Sequence, residues 1–281
     1  MDEFATPLLS VREVNKQFGN GCDHCRVLSP DSLIKNFCPV CRTVYSCQDI
    51  SFDLYPGEVL GIVGESGSGK STLMRCLYFD QEVTSGEANI RTYQDGGKNI
   101  FEESAQQKRY IRNHVLGKVY QNPLLGLRMN FSAIGNIAEK LIAAGNRHVG
   151  AMEERGMELL EHVNIPTYRM KEAPKNFSGG MQQRVQIAKA LSNNPPILLL
   201  DEVTTGLDLS VQASVLDLIK QLQRELNISI IIVSHDLGVI RMLADRTMVM
   251  LDGKVVEQGL TDQILEDPQH PYTQQLVHSL V

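Results

Sequence analysis

The stretch that decides the fold is GIVGESGSGKST, which runs from Gly61 to Thr72. It matches the pattern G-x-x-x-x-G-K-[ST], with the fixed positions at Gly64, Gly69, Lys70 and Ser71. An apolar run, VLGIV, precedes the glycines, and KSTLMRCLY follows them with helical character. A strand, a glycine-rich turn and a helix in this order direct backbone N–H groups and the positive end of a helix toward one anion. The stretch therefore predicts a phosphate-binding loop.

Each position of this loop has a predicted role in holding a nucleotide. Lys70 is expected to reach the β- and γ-phosphates, and Ser71 to offer its hydroxyl to Mg²⁺. The glycines let the backbone N–H groups curl around the phosphate oxygens. The residues predicted to bind the nucleotide here are Gly64, Glu65, Ser66, Gly67, Ser68, Gly69, Lys70, Ser71 and Thr72.

A second motif, ILLLDEV, ends an apolar run with Asp201 and Glu202. Alone, the pattern is also typical of a strand that leaves the core into solvent. Beside a phosphate loop it indicates more, because a carboxylate at the end of a buried strand has no packing reason to be there. Asp201 is predicted to hold Mg²⁺, directly or through water. Glu202 is then placed to polarise the attacking water as a general base.

A third motif, NFSGGMQQR, spans Asn176 to Arg184. Ser178, Gly179 and Gly180 precede a helical stretch, which makes a second helix N-terminus with free N–H donors. One nucleotide already has a complete cradle in the loop at Gly64. A second anion-binding turn therefore needs a different phosphate to bind.

Together these motifs resemble those of ATP-binding cassette (ABC) ATPases. The family signature is usually Leu-Ser-Gly-Gly-Gln, whereas this chain has Phe177 and Met181 at its ends, and Val203 replaces the proline usual after Asp-Glu. The resemblance implies a homodimer of cassettes packed head to tail. Each ATP then lies between the phosphate loop of one subunit and the Ser-Gly-Gly turn of the other.

Other family positions follow in order along the chain. Gln121 in VYQNP resembles the glutamine that senses Mg²⁺ and the attacking water, and His235 in VSHD resembles the γ-phosphate switch histidine. The resemblance thus implies catalytic roles for Glu202, His235 and Gln121, and a magnesium site of Ser71, Gln121 and Asp201. Asp208, in the TTGLD loop from Thr204, matches the loop that reaches across the dimer. Phe18 stands where an aromatic side chain stacks on adenine, with Tyr45 as its competitor.

The order of elements predicts an α/β fold. Apolar strands at VLGIVG, PPILLLDEV and ISIIIVSHD alternate with helical stretches, as in a parallel sheet. The resemblance adds a RecA-like P-loop core, an antiparallel β subdomain and an inserted helical lobe at about 102–175, within one ABC ATPase domain over 1–281. An edge strand is expected at 7–14, and a hairpin around Asp252-Gly253.

Four cysteines interrupt this pattern in the insertion 21–43. Cys22-x-x-Cys25 and Cys38-x-x-Cys41 have the spacing of a tetrahedral Cys₄ zinc site, which would be structural because four protein ligands leave no open position. An iron–sulfur cluster and four unlinked thiols remain the alternatives. So short a loop cannot build its own core, and a metal would replace one.

Within the family the tail QHPYTQQLVHSL (Gln269 to Leu280) is similar to that of two groups. One is the ATPases of dipeptide and oligopeptide importers; the other is the ATP-binding proteins of the phosphonate carbon–phosphorus (C–P) lyase system. The run after Gln121 and the stop at Val281 favour the second. That resemblance implies ATP-driven opening or remodelling of the C–P lyase core complex, with a second, different cassette alongside left open.

Composition limits the remaining classes. The chain has 281 residues, 27 basic and 33 acidic, for a formal net charge of −6. This balance argues against a nucleic-acid binder, including a DNA-damage recognition module. No apolar run approaches the roughly 18 residues that cross a bilayer. We therefore expect a cytoplasmic protein with ATP, Mg²⁺ and structural Zn²⁺ as cofactors, with no nucleic-acid partner and no membrane insertion. An ATP-gated scaffold with negligible turnover stays as an alternative.

Overall fold

A computed structural model of the chain describes residues 6–26 and 33–278. Residues 27–32 of the predicted insertion 21–43 lie outside this described part. The chain divides into two compact units. The first comprises the described residues up to Tyr55, Leu60–Glu103 and the described residues from Val233; the second comprises Pro56–Val59 and Ser104–Ile232.

The strands are short to medium in length and are numbered in chain order. They are β1 (Leu9–Phe18), β2 (Val44–Leu54), β3 (Val59–Val63), β4 (Ser85–Ile90), β5 (Leu116–Val119), β6 (Ile197–Asp201), β7 (Ser229–Val233), β8 (Arg246–Leu251) and β9 (Lys254–Leu260).

The helices include two single turns and one of 18 residues. They are α1 (Asp23–Arg26), α2 (Lys70–Leu77), α3 (Ala105–His114), α4 (Pro123–Gly126), α5 (Ala133–Ala143), α6 (Val149–His162), α7 (Gly179–Leu191), α8 (Leu209–Leu226), α9 (Leu237–Leu243), α10 (Thr261–Glu266) and α11 (Pro271–His278).

The first unit contains an antiparallel sheet in the order β2-β1-β4. It also contains β3, which pairs in parallel with β8, while β8 pairs antiparallel with β9. Every residue of β3 is buried, as expected for an apolar strand covered on both faces. Because β3 is held in the core, the position of the glycine-rich turn that follows it is also fixed.

The second unit contains β5, β6 and β7 side by side, with β5 and β6 parallel. Helices α5 and α6 pack against each other and against α7. Their buried faces are mostly apolar, with Ile137 and Leu141 on α5 and Leu159 and Leu160 on α6. Every residue of β6 is buried, so Asp201 is held at the end of a rigid strand.

The structure confirms the hairpin at Asp252-Gly253, which joins β8 to β9. Both residues have positive φ, 49° and 82°, as a type I′ turn requires. The expectation of an edge strand at 7–14 is wrong, because β1 lies between β2 and β4. Its neighbour β4 (SGEANI) has few residues that favour strands, and so the sequence did not reveal it.

One strand also lies inside the stretch expected to form the helical lobe, about 102–175. This is β5, with the sequence LGKV, and all four of its residues are buried. Four residues are too few to show a period that separates strand from helix. None of the helices within residues 6–26 and 33–278 combines the length and the hydropathy of a membrane span.

Candidate nucleotide site

The phosphate loop follows β3 and bends sharply at its glycines. Gly64 and Gly69 have φ of 147° and 104°. A Cβ on Gly64 would lie 2.1 Å from the Met250 carbonyl oxygen, and one on Gly69 would lie 2.0 Å from the Ser46 carbonyl oxygen. Glycine is therefore required at both positions by conformation and by space. The loop is clamped between two backbone segments of the same unit.

Lys70, the first residue of α2, is buried with 5% of its surface exposed. Its Nζ donates to the carbonyl oxygens of Gly64 at 2.7 Å and Glu65 at 2.8 Å, and to Ser68 Oγ at 3.2 Å. The ammonium thus lies inside the curve of the loop, where it can meet a phosphate. Ser71 and Thr72 follow on the first turn of α2 and are partly exposed.

His235 lies beside the strand that leads into this loop. The backbone N–H of its neighbour Ser234 donates to the Ile62 carbonyl oxygen at 3.2 Å. Asp236 then begins α9 by accepting the Gly238 N–H at 2.8 Å. His235 itself is exposed. Two neighbours therefore hold the backbone of the predicted switch histidine while its side chain reaches solvent.

Phe18 and Tyr45 compete in the sequence for the adenine-stacking role, and the structure separates them. Phe18 is 41% exposed, and Lys16 Nζ lies 5.0 Å from the centre of its ring. Tyr45 is 7% exposed and its hydroxyl donates to Cys25 Sγ at 3.2 Å. Of these two aromatic side chains, only Phe18 has a face free for a base.

In the second unit, Gln121 and Glu202 meet directly. They follow the carboxyl ends of β5 and β6, which are parallel neighbours, and Gln121 Nε2 donates to Glu202 Oε2 at 2.9 Å. Thr205 Oγ1 donates to the same oxygen at 3.3 Å. The two donors orient the Glu202 carboxylate, and Asp201, immediately before it, is buried with 7% exposed.

Glu202 also has a strained backbone. Its φ of 47° lies in the left-handed region, which costs a residue with a Cβ about 1–2 kcal/mol. The positive φ falls on the residue directly after Asp201, the last residue of β6. Such strain concentrates at functional positions.

The turn at Ser178 caps α7. Ser178 Oγ accepts the Met181 N–H at 3.4 Å, and both Ser178 and Gly179 are exposed. A Cβ on Gly180 would lie 2.3 Å from Val211 Cγ1, so this glycine allows α7 to pack closely on α8. The first residues of α7 are therefore capped by Ser178 and lie at the surface of the second unit, as an anion-binding helix end requires.

The two departures from the usual signature have structural partners. Phe177 is 6% exposed, with the Arg169 guanidinium 4.7 Å from its ring centre. The same guanidinium lies 3.4 Å from Met181 Sδ. Gln182 turns inward and donates to the carbonyl oxygens of Pro174 and Phe177. Phe177 and Met181 thus form a local packing arrangement that leaves the Ser-Gly-Gly turn exposed.

Asp208 has a structural task within its own unit. Its carboxylate accepts the Val211 N–H at 3.0 Å and the Ser210 hydroxyl at 2.8 Å, which caps α8. Hydrogen bonding from the Val211 amide, followed by that from Ser210, lowers the pKa of Asp208. The capping bond is by itself a sufficient structural reason for an aspartate at this position.

The four cysteines of the insertion come together as the sequence predicts. The sulfur atoms of Cys22, Cys25, Cys38 and Cys41 all lie within 4.8 Å of one another. The Sγ–Sγ distances are 3.7 Å from Cys22 to Cys25, 3.9 Å from Cys22 to Cys38 and 3.5 Å from Cys25 to Cys41. Four thiolates about 2.3 Å from one central ion would lie about 3.8 Å apart in a tetrahedron. The sulfur positions therefore fit a single tetrahedral ion.

Neighbouring donors favour the thiolate form of two of these cysteines. Hydrogen bonding by Thr43, through its side chain and then its backbone, lowers the pKa of Cys41 to about 6. Hydrogen bonding from Tyr45 lowers the pKa of Cys25. In contrast, burial raises the pKa of Cys47 to about 12 and that of Cys76 to about 11, so these two behave as packing residues.

A family model described as ABC transporter matches residues 47–205. The chain is an ABC-type ATPase. It is 50% identical over 233 residues to the Escherichia coli (strain K12) ATP-binding protein PhnK, named for phosphonates utilization, covering 83% of this chain and 90% of PhnK. It is 38% identical over 257 residues to the Bacillus subtilis oligopeptide transport ATP-binding protein OppD, covering 91% of this chain and 72% of OppD.

A solved structure shows the same fold. The ATP-binding cassette MJ0796, in a dimeric post-hydrolysis state bound to ADP and Pi, superposes with a TM-score of 0.74 at 27% identity. The match covers 90% of this chain and 98% of MJ0796. Membership of this ATPase family confirms the predicted fold class and the ATPase activity. The roles of individual site residues stay predictions.

Two residues near the site were missed by the sequence reasoning. Tyr45 entered only as an adenine-stacking candidate, although it contacts the cysteine cluster. Lys35 drew no attention, yet its Nζ lies 3.4 Å from Glu65 Oε1 in the phosphate loop. The position of Tyr45, four residues after Cys41, was the one available signal.

Proposed function

We propose that this chain is the ATP-hydrolysing subunit of a C–P lyase system for phosphonate breakdown. The observation that supports this most is the 50% identity to PhnK across 90% of that protein. The identity to OppD is 38%, and it leaves more than a quarter of OppD unmatched. A peptide-importer ATPase is the second candidate, because the chain shares its family and most of its length with OppD.

In the proposed reaction, water attacks the γ-phosphate of ATP and yields ADP and phosphate. Lys70 and the loop amides hold the phosphates, and Ser71, Gln121 and Asp201 are the residues that would hold Mg²⁺. A bound Mg²⁺ would neutralise charge on the β- and γ-phosphates. Glu202 takes the proton of the attacking water.

The bond between Gln121 and Glu202 bears on this chemistry. A carboxylate acts efficiently as a base only when it is aimed at the water. The Gln121 amide and the Thr205 hydroxyl both donate to one oxygen of Glu202 and so fix the direction of its carboxylate. His235 contacts the γ-phosphate in this proposal, as the family resemblance implies.

The protein acts in this proposal as an ATP-bound homodimer. Ser178 and Gly179 at the N-terminus of α7 are exposed, so a phosphate can approach their N–H groups. In this proposal, that phosphate belongs to the ATP held by the phosphate loop of the partner subunit. The dimeric cassette MJ0796 supports this arrangement by its similarity. Closure on ATP and opening after hydrolysis would remodel the C–P lyase core complex on which the dimer docks.

We also propose that the four cysteines hold a structural Zn²⁺. Thiolates are the ligands that zinc and iron–sulfur clusters select in proteins. Each thiolate of a polynuclear iron–sulfur cluster binds a different iron or shares an iron with one partner, which spreads the sulfurs apart. The 4.8 Å limit on all separations favours one ion instead. Cys25 and Cys38 are fully buried, so the ion would replace part of a core.

An affinity pull-down from phosphonate-grown cells, with metal analysis of the same sample, tests both proposals. Subunits of the C–P lyase core in stoichiometric amount support the first, whereas a membrane permease supports the importer. Recovery of neither would overturn the C–P lyase assignment. About one zinc per chain supports the metal proposal; iron with sulfide, or no metal, would contradict it.

A further inference from the structure

The cysteine cluster is contacted by a side chain that is not one of its four cysteines. The Tyr45 hydroxyl donates to Cys25 Sγ at 3.2 Å, and both residues are buried. Tyr45 packs in one small core with Cys25 and Cys38, and Leu33 lies against it. A hydrogen bond to a thiolate is charge-assisted and therefore stronger than one between neutral groups. Tyr45 is thus tied to the metal-binding group by packing and by a directional bond.

Tyr45 lies in β2, and the next residue of this strand, Ser46, lies against the phosphate loop. Tyr45 and Ser46 are the second and third residues of β2, and a Cβ on Gly69 would lie only 2.0 Å from the Ser46 carbonyl oxygen. Gly69 is the residue before α2, whose N-terminus is the anion-binding end of the loop. Any shift of Ser46 toward Gly69 therefore has to move the loop, because both partners of this contact are backbone.

A second backbone path joins the same elements. Gly253 donates its N–H to the Ser68 carbonyl oxygen at 3.1 Å and accepts the Gln48 N–H at 2.7 Å. A Cβ on Gly253 would lie 2.4 Å from the Tyr45 carbonyl oxygen. The beginning of β2 is thus linked to Ser68 as well as to Gly69. Two adjacent loop residues are positioned by the strand that starts at the cysteine cluster.

A third contact is electrostatic and weaker. Lys35 lies in a tight turn between Ile34 and Phe37, three residues before Cys38. Its Nζ is 3.4 Å from Glu65 Oε1, with 67% and 42% of the two side chains exposed. Exposed pairs of this kind contribute about 0–1 kcal/mol. The main connection from the cluster to the loop therefore runs through Tyr45.

We propose that Tyr45 is a positioning residue that couples the metal state of the four cysteines to the phosphate loop, so that Zn²⁺ and MgATP each strengthen binding of the other. The inference rests on the proposed zinc site. With the ion bound, Cys25 is fixed, Tyr45 is anchored and Ser46 supports Gly69 in its phosphate-receiving position. Without it, the start of β2 loses its anchor. Because coupling between two binding sites is reciprocal, bound nucleotide must raise the affinity for zinc by the same factor by which bound zinc raises the affinity for nucleotide.

The test measures zinc transfer from the full-length, zinc-loaded protein to the chelator 4-(2-pyridylazo)resorcinol. It is run with and without a non-hydrolysable ATP analogue and Mg²⁺, at one protein concentration. We expect the analogue to lower the equilibrium fraction of zinc transferred, corresponding to about fivefold tighter zinc binding or more. The affinity for the analogue should fall by the same factor when zinc is removed. This readout does not depend on catalysis.

Tyr45→Phe keeps the ring and removes the hydroxyl. We expect it to retain one zinc per chain and native circular dichroism, with the coupling reduced below about twofold. Tyr168→Phe is the matched control, since Tyr168 is 82% exposed and distant in sequence from both motifs; it should keep the full coupling.

The outcomes separate this inference from the zinc proposal. Stoichiometric zinc with no effect of nucleotide on its affinity would overturn the coupling and leave the zinc site standing. Full coupling in Tyr45→Phe would overturn the role of Tyr45. Absence of zinc from the purified protein would overturn both proposals. If Tyr45→Phe does not fold, the reciprocity measured in the unaltered protein decides the coupling by itself.

Discussion

Alanine in place of Gly69, the glycine that contacts β2, should destabilise the protein more than alanine in place of Gly67 in the same loop. Gly69 and Gly67 have φ of 104° and 85°, so an alanine at either position is strained. They differ in space: a Cβ on Gly69 lies 2.0 Å from the Ser46 carbonyl oxygen, whereas one on Gly67 has nothing within 4 Å. Gly67→Ala is therefore a matched control for Gly69→Ala.

The expected magnitudes follow from these two terms. An alanine in the left-handed backbone conformation costs about 1–2 kcal/mol, and this cost lowers the free energy of unfolding of both variants. Gly69→Ala adds an overlap of about 1.4 Å relative to an ordinary contact of 3.4 Å, and the group it meets is backbone. Overpacking of this kind costs about 1–3 kcal/mol. The free energy of unfolding should fall by about 1–2 kcal/mol in Gly67→Ala and by about 2–5 kcal/mol in Gly69→Ala.

Urea unfolding without nucleotide, followed by far-UV circular dichroism, measures the difference. With a slope of about 2–3 kcal/mol/M, the extra cost of about 1–3 kcal/mol should place the midpoint of Gly69→Ala roughly 0.3–1.5 M below that of Gly67→Ala. The entropy that alanine removes from the unfolded chain is common to both variants and cancels. Equal midpoints would refute the claim that β2 braces the loop through Ser46.

Two further predictions concern the loop lysine and the α8 cap. Lys70→Met should weaken binding of a fluorescent ATP analogue about 10–100-fold, because a hydrogen-bonded charge is worth about 1.5–3 kcal/mol; the exposed Lys98→Met should bind normally, and equal affinities would contradict the role of Lys70. Asp208→Asn should lower the melting temperature at pH 7. Because the pKa of Asp208 is lowered in the folded protein, its contribution is complete above the ordinary aspartate range and is lost as the pH falls through the folded value. The difference in melting temperature between Asp208→Asn and the unaltered protein should therefore shrink below about pH 4, and a difference that grows with acid would refute the cap.

Local chemistry made the nucleotide loop, the hairpin and the cysteine cluster predictable. The loop GESGSGKS and the turn at Asp252-Gly253 are set by residues adjacent in sequence, whose backbone conformations few other residues adopt. The cluster of four cysteines was predictable because two Cys-x-x-Cys pairs have the spacing of a Cys₄ metal site. The cause of each of these features lies within one short stretch of the chain, the longest being Cys22 to Cys41.

Features that depend on distant partners were not predictable. The place of β1 in the middle of its sheet depends on β4, whose own residues hardly favour a strand. The clamp on Gly69 depends on a carbonyl from β2, and a backbone atom leaves no mark in the sequence. Tyr45 could not be placed beside Cys25 before the register of β1 and β2 was known.

The central claim is that ATP joins two copies of this chain, with half of each pocket supplied by the Ser178 turn of the other copy. Glu202→Gln removes the proposed base and leaves the groups that bind the nucleotide. Light scattering with size-exclusion chromatography in saturating MgATP should give twice the 31.3 kDa mass of one chain for Glu202→Gln, without measurable hydrolysis. Glu154→Gln, an exposed change on α6, should hydrolyse ATP like the unaltered protein. A Glu202→Gln protein that keeps the mass of one chain, alone and with the C–P lyase core complex, would contradict the claim.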